Sequence, residues 1–383
     1  MKKIFFSLLR EALCDIPLEK EVKSLLTPEI LVSLFNLSDK HDLAHLVCDA
    51  LNKNGLLSQN SEIKKRFIAK QHLAVYRSEQ FIYELNCISQ AFSDESISFM
   101  PLKGSVLRSL YKEPWMRTSC DIDVLVKEEN LKPAIKVLTE KLGYKCTGIG
   151  MHDAQLYSEN GTHIELHYNL LGIDTKQSEK EIFDNVFEVS KEISPYQFSM
   201  PDEYFYCYTI SHIAKHLKDG GCGVRPLLDL WILNNKVAFD QKKREELLKK
   251  AGLLTLAKAL EKLCRVWFDE KEPDELTNEL GEYILTGGVY GTFETKIAMQ
   301  QSLKKNKISY FLSRLFLPYR QMKFKYPKLQ KCPILYPYYT VKRWFLIFRK
   351  DTKNRAVKEL NQARRGDKAV KERTEKLLKE LKL

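Results

Sequence analysis

The chain contains no C-x-x-C pair, although it has nine cysteines: Cys14, Cys48, Cys87, Cys120, Cys146, Cys207, Cys222, Cys264 and Cys332. A cysteine-type zinc cage uses closely spaced pairs, so this scatter argues against one. Thiols dispersed in this way suit a reducing cytoplasm, which is the expected location. No apolar run approaches the roughly 20 residues of a membrane span. The opening M-K-K-I-F-F-S-L-L has a short apolar stretch, Ile4 to Leu9, that Arg10 and Glu11 end. That is too brief for a secretory signal core and reads as an amphipathic helix. There is no internal repeat and no low-complexity segment. One further absence is local: no Asp or Glu lies between Thr295 and Lys350.

The 383 residues are enough for two or three domains, and 44% hydrophobic with 29% charged residues is the balance of a soluble globular chain. The net charge of +12 is unevenly placed. Residues 301–383 hold 24 Lys and Arg against 6 Asp and Glu, a net of +18, which leaves −6 for the rest.

Residues 1–95 read as helical, with apolar residues at three- and four-residue spacing in Ile30-Leu31-Leu34-Phe35 and Leu43-Leu46-Val47-Leu51. Thr27-Pro28-Glu29 is a helix start, and a longer helix is expected over residues 61–92. His41 and His45 have metal-compatible helical spacing but lack a neighbouring carboxylate motif, so they read as core or surface residues. The period then changes. Ile97 to Met100 reads as a strand, residues 105–112 as a short helix, Asp121 to Val126 as a second strand, and residues 130–142 as a helix stopped by Gly143. Asn160-Gly161 lies between two β-like runs and signals a hairpin.

The chemistry concentrates in K-G-S-V-L-R-S-L-Y-K-E-P-W-M-R-T-S-C-D-I-D-V-L-V, residues 103–126. Strand side chains alternate between faces, so Asp121 and Asp123 share one face and Ile122 and Val124 the other. Two adjacent carboxylates repel, and a divalent cation relieves that repulsion; hard oxygen ligands suit Mg²⁺, with Mn²⁺ the alternative. A bare D-x-D by itself would favour a solvent-facing edge strand. The preceding Gly104-Ser105 turn adds backbone N–H groups and a hydroxyl suited to a phosphate. In the second hairpin strand, His163, Glu165 and His167 also share a face, which could line a cleft or simply face solvent.

The motif resembles the signature of the polymerase-beta-type nucleotidyltransferase superfamily, Gly-Ser followed by a strand bearing D-x-D. In finer detail, L-K-G-S, L-Y, R-x-x-x-D-I-D-V-L-V and a later I-E-L-H are similar to a bacterial family of largely uncharacterised nucleotidyltransferases, over about residues 98–230. The resemblance implies an α+β fold, with a small mixed β-sheet nucleotidyltransferase core embedded between N-terminal and C-terminal helical regions. The expected division is 1–95 (helical), 96–175 (core), 176–308 (helical, completing the cleft) and 309–383 (basic and aromatic-rich). It implies Asp121, Asp123 and Glu165 as metal-holding catalytic carboxylates, with His163 and His167 as cleft-wall residues. Lys103, Gly104, Ser105 and Arg117 would meet the nucleotide phosphates. H-x-x-x-H…G…R-x-x-x-D recurs in that family, which puts Lys215, His216 and Arg225 on base, sugar or phosphate; Arg225 and Asp229 are also spaced for an ordinary helical ion pair.

The implied reaction moves a nucleoside monophosphate from an NTP such as ATP to a hydroxyl of an acceptor that could be a small molecule, glycan, protein or RNA. Two other readings stay open: a phosphocholine-type phosphotransferase acting on a glycan, and a non-catalytic nucleotide-binding protein. Residues 308–350 interleave Tyr310, Phe311, Phe316, Tyr319, Phe324, Tyr326, Tyr336, Tyr338, Tyr339, Trp344, Phe345 and Phe348 with Lys and Arg. Such a stretch can grip nucleic acid, lie on an anionic membrane surface, or pack as ordinary helices with snorkelling basic side chains. The charged terminal helix, residues 370–383, is expected to be solvated or frayed.

Overall fold

Strand β2 (Ile122–Val126) is the centre of the sheet that carries the candidate site. Its Ile, Val, Leu and Val side chains suit extended backbone, and all five residues are buried. The computed structural model describes residues 1–57, 61–172, 175–289, 291, 296, 312, 315–347 and 368–383. With β1 (Phe99–Pro101), β3 (Lys145–Ile149), β4 (Asp153–Tyr157), β5 (His163–His167), β6 (Lys191–Ser194) and β7 (Gln197–Ser199), β2 forms a seven-stranded sheet in the order β3-β4-β5-β2-β1-β7-β6. The sheet is mixed: β2 runs parallel to β5, and β1 parallel to β7, while the other neighbours are antiparallel. The α+β expectation therefore holds.

One face of the sheet is apolar. Ile122, Val124, Val126, Ile164, Leu166, Ala154 and Leu156 pack against Phe81, Ile88 and Phe92 of the helix Glu62–Asp94 and against Ala134, Val137 and Leu138 of the helix Leu131–Glu140. Ser61 caps the first of these helices, its hydroxyl accepting from the Lys64 amide. The Asn160-Gly161 turn joins β4 and β5 as the hairpin signal indicated, with Gly161 at φ 82°. The pair β6–β7 had no expectation in the sequence. Its strands are short, with β6 exposed and β7 half-buried, and K-E-I-S-P-Y-Q-F-S lacks the alternation that marks a longer strand.

Two compact units divide the chain: residues 1–211 with 223–277, and residues 212–222 with 278–383. The first contains the sheet, the N-terminal helices Lys2–Cys14, Lys20–Ser24, Pro28–Lys40 and Ala44–Lys53, and the helices Arg225–Lys236, Gln241–Ala251 and Leu254–Phe268. The expected amphipathic N-terminal helix is present, with Ile4, Phe5, Phe6, Leu8 and Leu9 buried. His41 and His45 are core residues; His45 Nε2 lies 2.9 Å from the Met116 carbonyl.

The second unit holds the helices Tyr319–Lys325, Lys328–Lys331, Tyr336–Ile347 and Lys368–Leu381. Met322, Leu329 and Tyr339 form a small core there. The terminal helix is not merely solvated, contrary to expectation: Thr374, Leu377, Leu378 and Leu381 lie at helical spacing and are buried. Lys376 also pairs with Glu279 at 3.1 Å. Tyr310, Phe311 and Phe348 lie outside the described residues.

Candidate active site

The parallel pairing of β2 and β5 sets Asp123 directly beside Glu165. Period-two alternation then puts His163 and His167 on the same sheet face, opposite the apolar one. Asp121 immediately precedes β2. Ligand-type atoms of Asp121, His163 and Glu165 all lie within 4.8 Å of one another, and so do those of Asp123, Glu165 and His167. The three carboxylates expected to converge are thus joined through Glu165, which belongs to both groups.

Lys103 enters this cluster from a tight turn. Its φ of 45° and ψ of −114° are unusual for a residue with a side chain, and the Ser105 amide donates to the Leu102 carbonyl at 3.0 Å across the turn. The backbone so placed aims the amine at Asp123 Oδ1, 2.6 Å away, with Glu165 Oε2 at 3.8 Å. His167 Nε2 lies 2.9 Å from Asp123 Oδ1 and 3.5 Å from Glu165 Oε2.

The ionisation of the cluster follows from these contacts. Burial works against charge on Asp123, yet the Lys103 ammonium and the His167 hydrogen bond hold its carboxyl far below the ordinary range. Burial also opposes charge on Lys103, and Asp123 overcomes it to raise the ammonium's pKa. For Glu165, the hydrogen bond with His167 lowers the pKa against burial and the Asp123 charge. His167 is raised: burial disfavours the imidazolium, but hydrogen bonds to Asp123 and Glu165 favour it more. Asp121 moves the other way, raised by burial and then by the neighbouring Asp123 charge.

The Gly104-Ser105 turn is backed by a rigid wall. A Cβ on Gly104 would stand 2.3 Å from Ser119 Oγ and 2.9 Å from Arg117 Nη1, so glycine is required here by close approach rather than by dihedral angle. Ser105 Oγ is buried and has no hydrogen-bond partner among the described residues.

Arg117, expected at a leaving pyrophosphate, is buried and directs its donors inward. Nη2 and Nε donate to the two oxygens of Asp229 at 2.9 and 3.2 Å, and Nη1 donates to Ser119 Oγ and the Thr118 carbonyl at 2.7 Å. The helical pair of Arg225 with Asp229 is therefore not formed. Asp229 takes Arg117 and the Tyr111 hydroxyl, while Arg225 reaches Asp42 at 3.0 Å and Thr118. Lys215 and His216 fall in the second compact unit, on the helix Asp202–Lys218, where His216 Nε2 lies 2.9 Å from His212 Nε2.

Sequence reasoning missed two contributors. Gln155 of β4 contacts both Asp153 and His163, and its place follows only from strand register. Tyr208, fully buried, interacts electrostatically with Lys103, Asp123, Glu165 and Asp121. Nothing in the surrounding helical pattern distinguishes it from a core tyrosine. His167 shared the correct face in the sequence, and its direct bond to Asp123 is the part that required the fold.

The donor set fits a divalent cation. Three carboxylates supply hard oxygens, two imidazoles border them, and one buried hydroxyl nearby lacks a partner. The fold thus holds a Gly-Ser turn ahead of the D-x-D strand and a third carboxylate on the adjacent parallel strand. The chain belongs to the family described as uncharacterised nucleotidyltransferase, whose model matches residues 32–269. No curated protein matches the chain. The solution structure of the antibiotic-resistance factor ANT(2'')-Ia is similar at 12% identity and a TM-score of 0.34, covering 49% of this chain and 97% of that one.

Proposed function

We propose that the protein transfers a nucleoside monophosphate from an NTP to an acceptor hydroxyl, with Asp121, Asp123 and Glu165 holding Mg²⁺ or Mn²⁺. The observation that carries this reading is the registration of Asp123 against Glu165 in parallel strands, with Asp121 one residue before β2. When bound, such a cation supplies Lewis-acid stabilisation to the phosphate charge and favours ionisation of the acceptor hydroxyl. The acceptor oxygen forms a bond to the α-phosphorus as the bond to pyrophosphate breaks.

The chain's own groups have separable parts. Ser105, whose buried hydroxyl has no hydrogen-bond partner among the described residues, would donate to a phosphate oxygen beside the Gly104 backbone. Lys103 keeps the carboxylates from repelling one another in the absence of substrate, and its ammonium offsets phosphate charge when they are otherwise engaged. Arg117 acts one step back, holding Ser119 and with it the wall behind Gly104.

The test is incubation with each α-labelled NTP, Mg²⁺ or Mn²⁺, and fractionated cell extract. Label should enter one acceptor fraction and should fail to do so with Asp123→Asn. Label transferred from CDP-choline, with none from any NTP, would replace this reading by the phosphocholine-type one.

A further inference from the structure

The second compact unit exposes an apolar stripe along its basic aromatic helices. In the helix Tyr336–Ile347, Tyr338, Val341 and Phe345 lie at i, i+3 and i+7 and are 59%, 44% and 71% exposed. Ile334, four residues before Tyr338 in the turn Pro333–Leu335, continues the row and is 84% exposed. The opposite side of the same helix is occupied: Tyr339 packs on Met322 and Leu329, and Trp344 donates to the Leu315 carbonyl. The outward row is therefore a second apolar face on a helix that has already buried its first. Lys325, Lys328, Lys331 and Lys342 are exposed in the same short region, and no acidic residue lies in the sequence between Thr295 and Lys350.

We propose that this face is a docking surface for an anionic lipid bilayer. Its occupant is identified by two chemistries at once. The lysines meet a negatively charged surface, and the stretch from Thr295 to Lys350 that carries them contains no carboxylate. Ile334 and Val341 offer only aliphatic contact, which an acyl boundary rewards and a nucleic acid does not, since single strands are held by stacking on π-faces and by phosphate contacts. The helix lies in the interface with Ile334, Tyr338, Val341 and Phe345 inward and the lysines at headgroup level. This inference stands apart from the transfer reaction, because none of these residues belongs to the carboxylate cluster.

The full chain is mixed with vesicles of phosphatidylcholine alone, or containing about one-third phosphatidylserine, and sedimented. Binding is expected to the anionic vesicles and to fall as salt rises. Ile334→Asp and Phe345→Asp should each weaken it at least about tenfold. Each charge lost from Lys325, Lys328, Lys331 or Lys342 should weaken it about fivefold. Thermal melts of these variants should match the parent, since both apolar side chains are exposed. The proposal is overturned if neither vesicle binds, or if the Asp variants bind as the parent does. It is also overturned if single-stranded RNA binds through the same apolar residues, or if light scattering shows a dimer that the Asp variants dissolve.

Discussion

Asp123 is the residue on which the cluster turns, because it is nearly inaccessible and yet charged. Its charge is sustained by Lys103 at 2.6 Å and His167 at 2.9 Å. Asp123→Asn should abolish turnover at saturating NTP and metal, read by label transfer. It should also destabilise the metal-free protein by on the order of 3 kcal/mol, because Lys103 loses its nearest carboxylate and keeps only Glu165 at 3.8 Å. Denaturant unfolding in chelator measures that loss. A second prediction concerns the thiols, none of which forms a disulfide. Burial pushes Cys48, Cys207 and Cys222 up to about 12, so little thiolate exists at mildly alkaline pH. Cys120 and Cys146 are exposed. Brief iodoacetamide treatment at about pH 8 should label Cys120 and Cys146 first and leave the three buried thiols unmodified until the chain unfolds, as peptide mass spectrometry would show.

At the scale of the element, the turn at Lys103 and Gly104 works only against its backing. The hydroxyl of Ser119 and the guanidinium of Arg117 occupy the space where a Gly104 side chain would go. Arg117 is pinned by Asp229 and cannot yield that space cheaply. Gly104→Ala should therefore cost about 1–3 kcal/mol in a denaturant melt, the range for overpacking a filled site. The same variant should raise the KM for NTP, because the turn that presents Ser105 is displaced. The partner strands predict the opposite tolerance: β3 is exposed along its length, so polar substitutions such as Ile149→Thr should leave both stability and turnover near the parent values.

Across the whole first unit, a buried polar network ties sequence-distant pieces together. Asp229 of the helix Arg225–Lys236 holds Arg117 and Tyr111, and Arg225 of the same helix holds Asp42 from the loop between two N-terminal helices. Asp229→Leu should destabilise by about 3–5 kcal/mol, since it strands the Arg117 guanidinium in the interior. Adding Arg117→Met should recover much of that loss, as a double-mutant cycle in urea would show. If the two variants are additive instead, the pair is not a coupled unit.

The sequence by itself determined the local elements and the parity of the site. Thr27 as a cap, the Asn160-Gly161 hairpin, and the shared face of His163, Glu165 and His167 follow from short-range chemistry that the chain carries at those positions. The α+β class came with the family resemblance that the motifs between residues 98 and 230 carry. Tertiary structure alone decided which strands are neighbours, and hence that Asp123 stands beside Glu165 although 41 residues lie between them in the sequence. It likewise decided the partners of Arg117. Spacing along a helix made Arg225 the natural mate of Asp229, but ion pairs form with whichever charge the fold brings close, and here that is an arginine 112 residues away. Local propensity can place a charge on a face; only packing chooses what lies opposite it, because that choice is made by chain segments whose separation no local pattern records.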